Sequence, residues 1–338
     1  MNRPPEDFVL VQEARLLAYA TACFEKVGLV PEHAAVISRL LVNSDLRGVR
    51  SHGTRTVNHY CQGFEDGRLN PKPEIRKVHE TPTSVVYDGD GSLGYWPMVM
   101  ATEEAIAKAK EVGIGMGLVR GIGHYGSAGH YTRMCMDEGC IGFSVQGHRN
   151  AGRHGFDGGG PNPGKHLGYF GNPPISFAIP AEEEPDLVLD AATCILADYQ
   201  RGDEYENLFS MIPAAFFKSI GYGAVAAMLG GGLTGFTLSD DTWNRWPNGR
   251  QGGMVLAIHI DSVVPEAVFR AETDRLAYDI RTTYTPMPGT DRSLLPGAIE
   301  EERLNLHRAQ GIRYGEMEQT AARAASARLG VPVPWDEE

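Results

Sequence analysis

Gly121-Ile-Gly-His-Tyr-Gly126 is the stretch on which the fold turns. An apolar run, Val112–Val119, precedes it, a helix-like segment, Ser127–Asp137, follows, and a second apolar run, Ile141–Val145, comes next. Strand, GxGxxG, helix, strand is the order of a dinucleotide-binding unit, whose glycines let the backbone approach a pyrophosphate at a helix N-terminus. Two features argue against that assignment. The unit needs an acidic residue about 20 positions further on for the ribose hydroxyls, and no acid lies between Gly139 and Arg153. The bulky pair His124-Tyr125 also stands where the phosphates would pass. The other use of a glycine-flanked turn is to present a side chain, and a histidine at the mouth of a sheet is suited to proton transfer.

Composition bounds the rest. The 338 residues are 42% hydrophobic, enough for one large or two medium cores. No run of 18 apolar residues suggests a membrane span, and the N-terminus, Met-Asn-Arg-Pro-Pro-Glu-Asp, lacks an apolar signal-peptide core. The five cysteines form no CxxC pair, which reads as reduced thiols in a cytoplasmic protein. A net charge of −12 argues against nucleic acid or an anionic membrane as partner, while leaving room for a local cationic site.

Outward from the loop, apolar spacing predicts helices over 11–28 and from Pro31 through Leu41. Ser51 is read as the N-cap of a third helix that ends near Gly67, with Val57, Tyr60, Cys61 and Phe64 on its core face. Residues 1–70 thus read as all-helical. Strands are expected at Thr83–Asp88, Gly115–Val119, Ile141–Gln146, Ile175–Ile179, Leu187–Asp190 and Met254–Ile260. Helices are expected at Tyr95–Lys110, at 221–236 between glycines, and at 299–310 and 315–329. The fold class is α/β with a mixed sheet. A helical N-terminal lobe, 1–75, packs with C-terminal helices, 299–338, and a mixed-sheet body, 76–298, carries the cleft.

Among chemistry-bearing residues, Ser51 and Arg55 are four apart, as are His52, Thr56 and Tyr60, so each set shares a helix face. That face offers His52 for a proton and Arg55 or Tyr60 for a carboxylate. Ser51 and His52, as sequence neighbours on a helix, are expected to diverge. His148, His154, Asp157 and His166 fall in a glycine-rich stretch without fixed spacing, so no metal site is expected. There is no GxSxG elbow.

Several segments together resemble one family along nearly the whole chain. They are Asp45-Leu-Arg-Gly-Val-Arg-Ser-His-Gly53 with Tyr60, Gly67-Arg-Leu-Asn-Pro71, Gly123-His-Tyr-Gly-Ser-Ala-Gly-His-Tyr131 and Glu138-Gly-Cys-Ile-Gly142. They continue through Gly171-Asn-Pro-Pro-Ile-Ser-Phe-Ala-Ile-Pro180, Leu189-Asp-Ala-Ala-Thr193, Gly221-Tyr-Gly-Ala-Val225, Leu295-Pro-Gly297 and Gly311-Ile312. The chain resembles the type 2 malate/L-lactate dehydrogenase family. That resemblance implies a mixed-sheet fold without a Rossmann domain, a homodimer, and NAD or NADP as cofactor. It implies hydride transfer on small 2-oxo or 2-hydroxy carboxylates or related cyclic imines. It further implies His124 and His52 as catalytic residues, with Ser51 and Tyr60 at the substrate; Arg55 remains a substrate candidate from its spacing. Cofactor contacts are implied at His148, Gly171, Asn172, Asp190, Thr193, Lys218, Gly221, Pro296 and Gly297.

The departures from the family pattern cluster on the cofactor side. Pro173 stands where an asparagine is usual, Ile220 where a lysine is usual, and Ala298 follows Pro296-Gly297 in place of glutamate. Ala197-Asp198 appears downstream of Thr193 where Gly-Lys is usual, and Arg55 is displaced from the usual arginine position after Ser-His-Gly. Two alternatives therefore accompany the dehydrogenase. One is a non-redox enzyme on the same scaffold, a tautomerase, lyase or hydrolase without nicotinamide binding. The other is a catalytically silent binding protein, against which the two histidines argue.

Overall fold

The computed structural model describes residues 4–148, 172–195 and 203–336. The chain opens with β1 (Phe8–Val11), α1 (Glu13–Lys26), α2 (Pro31–Leu46) and α3 (Val57–Glu65). There follow β2 (Arg76–Glu80), β3 (Ser84–Ser92), α4 (Tyr95–Val112), β4 (Ile114–Ile122), α5 (Gly129–Asp137) and β5 (Cys140–His148). Beyond these lie β6 (Pro174–Ile179), β7 (Leu187–Ala192), α6 (Asp203–Met211), α7 (Pro213–Gly230), α8 (Asp240–Arg245) and β8 (Gln251–His259). The chain closes with α9 (Glu266–Thr283), α10 (Ala298–Gln310), β9 (Ile312–Gly315) and α11 (Glu316–Leu329).

Among the described residues seven strands form a mixed sheet in the order β2-β3-β4-β8-β5-β6-β7. Strands β4 and β5, which flank the glycine loop, are not neighbours. Each pairs antiparallel with β8, which lies between them. A dinucleotide half-domain is built from parallel βαβ units, so this topology excludes it. Alternate residues of β4 serve opposite faces, as the strand's period of two requires. Val119 joins Val255 and Ala257 in the core beneath α4 and α5, while Leu118 joins Val145, Met254 and Ala226 of α7 on the other face.

Ile122 pairs with Gln251, His148 with Gln251 and Pro174 with Ala192. The ends of β4, β5 and β7 and the starts of β6 and β8 therefore share one end of the sheet, where the glycine loop emerges. The C-terminal elements return to the N-terminal ones: α10 packs on α2, and α11 on α1 and α3.

Four expectations need correction. The first 70 residues are not all helical: β1 pairs antiparallel with β9, Phe8 opposite Gly315 and Val11 opposite Ile312. Four residues are too few to show a period, and the partner lies some three hundred positions away. Ser51 is not an N-cap. It sits in a 3-10 turn, Arg50–His52, a second turn spans Thr54–Thr56, and α3 starts only at Val57. Ser51 and Arg55, or His52 and Tyr60, consequently do not share a helix face. The helix expected over 221–236 starts eight residues earlier at Pro213, a favoured first-turn residue, and stops at Gly230; its glycines are internal rather than bounding. Strand β2 and helix α9 have no counterpart in the sequence reading. Among the described residues no single helix is long and apolar enough to cross a membrane.

Candidate active site

Two short segments, each held from behind, bring the histidines together. The first is 50–56. Arg50 on one side of the Ser51-His52 pair donates from Nε to Glu318 Oε1 at 2.9 Å and from a second nitrogen to Oε2. Glu318, on α11, is 1% exposed. On the other side, the Thr54 N–H and hydroxyl both donate to Asp45 Oδ2, at 2.8 and 2.5 Å, and the hydroxyl also meets Tyr314 at 3.0 Å. Glycine is required at 53 because a Cβ there would lie 1.8 Å from Asp45 Oδ1. Burial pushes the Asp45 carboxyl up to about 7 against the opposing pull of the Thr54 bonds. Held in this way, the Ser51 hydroxyl and His52 Nδ1 are hydrogen-bonded at 2.8 Å, contrary to the divergence expected of helix neighbours.

The second segment is the glycine loop. Gln146 of β5 clamps it: its Nε2 donates to Gly123 O at 3.1 Å and its Oε1 accepts from Tyr125 N–H at 3.3 Å. Gly94 N–H donates to His124 O at 3.0 Å, Gly123 N–H to Ser92 O at 2.7 Å, and Tyr131 OH to Tyr125 O at 2.5 Å. Positive φ at Gly121 and Gly126, 64° and 84°, closes the turn. With its backbone satisfied inside the protein, the loop has few amides left for a phosphate.

His124 is thereby fixed in one tautomer. Gly126 N–H donates to its Nδ1 at 3.2 Å, and Tyr60 OH lies 2.8 Å from the same atom. A backbone N–H can only donate, so Nδ1 accepts and the neutral ring carries its proton on Nε2. Tyr60 continues to Tyr95 OH at 3.4 Å, and burial pushes the Tyr60 phenol up to about 12. The His52 and His124 rings stack at 5.5 Å with 28° between planes. Burial lowers the His52 pKa, Asp190 opposes and Arg55 reinforces that shift. Beneath them His130, bonded to Ser44 at 3.2 Å, is driven down to about 3 by burial and the neighbouring Arg133.

Ser51, His52, Tyr60 and His124 line one cleft of about 710 Å³. Arg55 is half-buried and is not among its lining residues. The residues assigned to the cofactor stand outside this lining. Asp190 accepts from Ser127 Oγ and from Gly129 N–H at 3.0 Å, tying β7 to the start of α5. Thr193 bonds through N–H and Oγ1 to Pro173 O, at 3.2 and 2.7 Å, and Asn172 Oδ1 accepts from Cys194 Sγ at 3.1 Å. Pro296 O accepts from Val188 N–H at 2.8 Å, and Gly297 adopts φ +104° against β7. Lys218 is exposed on α7, and nothing lies within 4 Å of where a Cβ of Gly221 would stand. His148 ends β5; Gly171, His154, Asp157 and His166 lie outside the described residues.

Sequence reasoning missed Gln146, Asp45 and Glu318 as supports, and Arg68 and Arg250 as cleft cations. Asp45 and Arg68 lie within the family-like segments 45–53 and 67–71, which carry no local signal of these contacts. Arg250 follows Trp-Pro-Asn-Gly, a turn signal with no chemical content.

Comparison with known proteins decides the lineage. Residues 11–200 match the family model described as malate/L-lactate dehydrogenase. The chain belongs to the malate/L-lactate dehydrogenase family. It is 30% identical over 339 residues to the L-sulfolactate dehydrogenase of Methanocaldococcus jannaschii, covering 91% of this chain and 94% of that one. A malate dehydrogenase of Pyrococcus horikoshii is 35% identical over 191 residues, 56% of this chain and 51% of its own length. The solved structure of a malate dehydrogenase from that organism matches with a TM-score of 0.81 at 24% identity, covering 98% of both chains. The ureidoglycolate dehydrogenase (NAD(+)) of Escherichia coli is 24% identical over 314 residues, 85% of this chain and 87% of that one. This family member is accordingly an enzyme of the dehydrogenase and reductase type with the mixed-sheet fold of its relatives.

Proposed function

We propose that the enzyme transfers a hydride between NAD or NADP and a small 2-oxo or 2-hydroxy carboxylate, or a related cyclic imino acid, with His124 as proton donor and acceptor. The observation that carries this reading is the fixed His124 tautomer: Nδ1 is occupied by Tyr60 and Gly126, so the mobile proton belongs to Nε2. Ser51 orients His52, whose stacked ring completes the proton-transfer pair at 5.5 Å.

The chain's residues fit a nicotinamide dinucleotide in two respects. A cleft of about 710 Å³ adjoins the histidines, and the open space over Gly221, one turn from exposed Lys218, leaves that lysine's charge accessible to a phosphate. The relative whose name carries NAD(+) supports the same cofactor class. When bound, the nicotinamide supplies or takes the hydride at the carbonyl carbon. His124 supplies or takes the proton at the oxygen. The homodimer is supported by Phe217, Val225 and Met228, exposed on one face of α7 at 72, 55 and 66%; sedimentation equilibrium reads it.

The test is titration with NADH and NADPH, followed by intrinsic fluorescence and melting temperature, with turnover of 2-oxo acids in parallel. Binding of either nucleotide with nicotinamide-linked turnover, abolished in His124→Ala, is expected. Absence of binding at millimolar nucleotide, or full turnover in His124→Ala, overturns the reading; turnover without nicotinamide replaces it with a non-redox enzyme.

A further inference from the structure

The cleft is an electrostatic exception in this molecule. The chain has 43 acidic residues against 31 basic ones. Yet no aspartate or glutamate is among the described residues that line the cleft, whereas Arg68, Arg250 and His59 are. The two arginines arrive on separate loops joined by a backbone bond, Asn248 N–H to Arg68 O at 3.0 Å. Arg250 immediately precedes Gln251, which pairs with Ile122, two residues before His124. Among the described residues, Arg68 has only Asp66 as an acidic partner, 3.6 Å away with both side chains more than half exposed. Arginines in a cleft whose described lining holds no acid focus the field and concentrate anions, and the guanidinium fork matches a carboxylate.

Position separates this group from the carboxylate next to the reacting carbon. Arg68 lies eight residues past Tyr60, beyond the end of α3, on the order of 10 Å along that helix axis. It also lies apart from most of the residues assigned to the cofactor. Asn172, Asp190, Thr193, Lys218 and Gly221 come from β7, α7 and the chain flanking β6 and β7, which β5 separates from β8 in the sheet; His148, at the end of β5 opposite Gln251, is the exception.

We propose that Arg68 and Arg250 form an anion subsite that receives the second acidic group of a dianionic 2-hydroxy or 2-oxo acid, at the end of the substrate away from the reacting carbon. The subsite rests on the dehydrogenase reading and names its substrate class: diacids over monoacids. His59 also lines the cleft and offers a ring N–H.

The probes are L-malate, with two carboxylates, and L-lactate, with one. Each is titrated calorimetrically against the full chain, alone and with NAD+ or NADP+, and turnover is assayed in parallel. Malate is expected to bind at least tenfold more tightly than lactate. Replacing both arginines, Arg68→Gln with Arg250→Gln, should erase that preference, each contributing about five- to tenfold as a charge-assisted bond in a partly exposed site does. Arg275→Gln removes the same charge from a solvated cluster with Glu272 and Asp279 and should leave the preference intact. Equal binding of the two acids, no binding of either, or a preference that survives the double substitution overturns the proposal. Weakened NADH or NADPH binding with the malate preference retained assigns the arginines to a nucleotide phosphate instead, and also overturns it. A malate preference that the double substitution abolishes, seen without any nicotinamide-linked turnover, upholds the subsite while the dehydrogenase reading alone fails.

Discussion

Replacing Asp45 with asparagine should stabilise the protein in a way that grows with pH. Asp45 is 2% exposed, with Glu318 raising its pKa and Arg50 and the Thr54 bonds lowering it; burial outweighs them and sets it near 7, against an ordinary value of 3.8. A carboxyl whose pKa is raised by folding binds its proton more tightly in the native state, so stability falls as pH rises between the two values. The full span is roughly 3 pH units, and at 1.36 kcal/mol per unit the ionised form costs about 4 kcal/mol. Asparagine keeps an acceptor for the Thr54 N–H and hydroxyl and cannot ionise. Its own packing and hydrogen-bond mismatch adds an offset independent of pH, so the informative quantity is the change in ΔΔG, not its value. Between pH 5 and pH 8 only the interval up to about 7 contributes, which gives the variant a relative gain of about 3 kcal/mol. Urea unfolding of both proteins at pH 5, 6, 7 and 8 measures it, with m-values compared to confirm that the same transition is followed. A ΔΔG that stays flat to within about 0.5 kcal/mol across that range, or that moves the other way, would show Asp45 ionised throughout and refute the burial argument.

Tyr60→Phe removes a hydroxyl 2.8 Å from His124 Nδ1; kcat/KM for a 2-oxo acid should fall roughly tenfold, the worth of one such bond, and an unchanged value would detach Tyr60 from the chemistry. Gln146→Leu leaves Gly123 O and Tyr125 N–H without their partner and should cost about 2–4 kcal/mol in denaturant unfolding. Glu318→Ala removes the buried carboxylate paired with half-buried Arg50 and should cost about 3–5 kcal/mol, while Glu318→Gln, which keeps an acceptor, recovers part of it; equal losses would argue that shape rather than charge matters. His130 is held near 3 by burial and must charge when the chain unfolds in acid. Its contribution is therefore lost as pH falls from about 6.5 toward 3, and His130→Gln should shift acid unfolding to lower pH.

What the sequence showed, and what it hid, follow from the range of each interaction. The glycine loop, β4, α5 and β5 were legible because apolar periodicity and turn glycines are local signals. The rejection of the dinucleotide fold was legible too, from a missing acid and an intruding histidine. That β8 inserts between β4 and β5 was not, since a strand some hundred residues downstream leaves no mark on the loop it supports. The strand β1 was hidden for the same reason. At the site, His52 and His124 could be named, but not the way they meet. Ser51-His52-Gly53 reads as a helix start; it becomes two 3-10 turns because Arg50 and Thr54 are pulled to Glu318 and Asp45, contacts of long separation that no periodicity encodes.

The same contrast bears on the expectation that this chain departs from its family's motifs on the cofactor side. On the proton-transfer side, little can change without a collision. A Cβ at Gly53 would lie 1.8 Å from Asp45, one at Gly126 2.5 Å from the Tyr95 ring, and one at Gly123 2.8 Å from Leu69. On the α7 side, Gly221 meets nothing within 4 Å and Lys218 is exposed. Ile220 between them is half-buried, so a replacement there meets a partly open rather than a fully packed surrounding. Packing makes substitution expensive where neighbours are close and rigid, and leaves it nearly neutral at open positions. Retention of both histidines beside altered α7 motifs is thus what stability alone would permit, and it does not by itself demonstrate loss of the nucleotide. If function also constrains α7, Ile220→Lys should tighten NADH or NADPH binding, at a stability cost of about 1 kcal/mol for a half-buried apolar side chain. Unaltered nucleotide affinity in that variant would mean that Lys218 already supplies the charge or that the phosphates do not lie along α7.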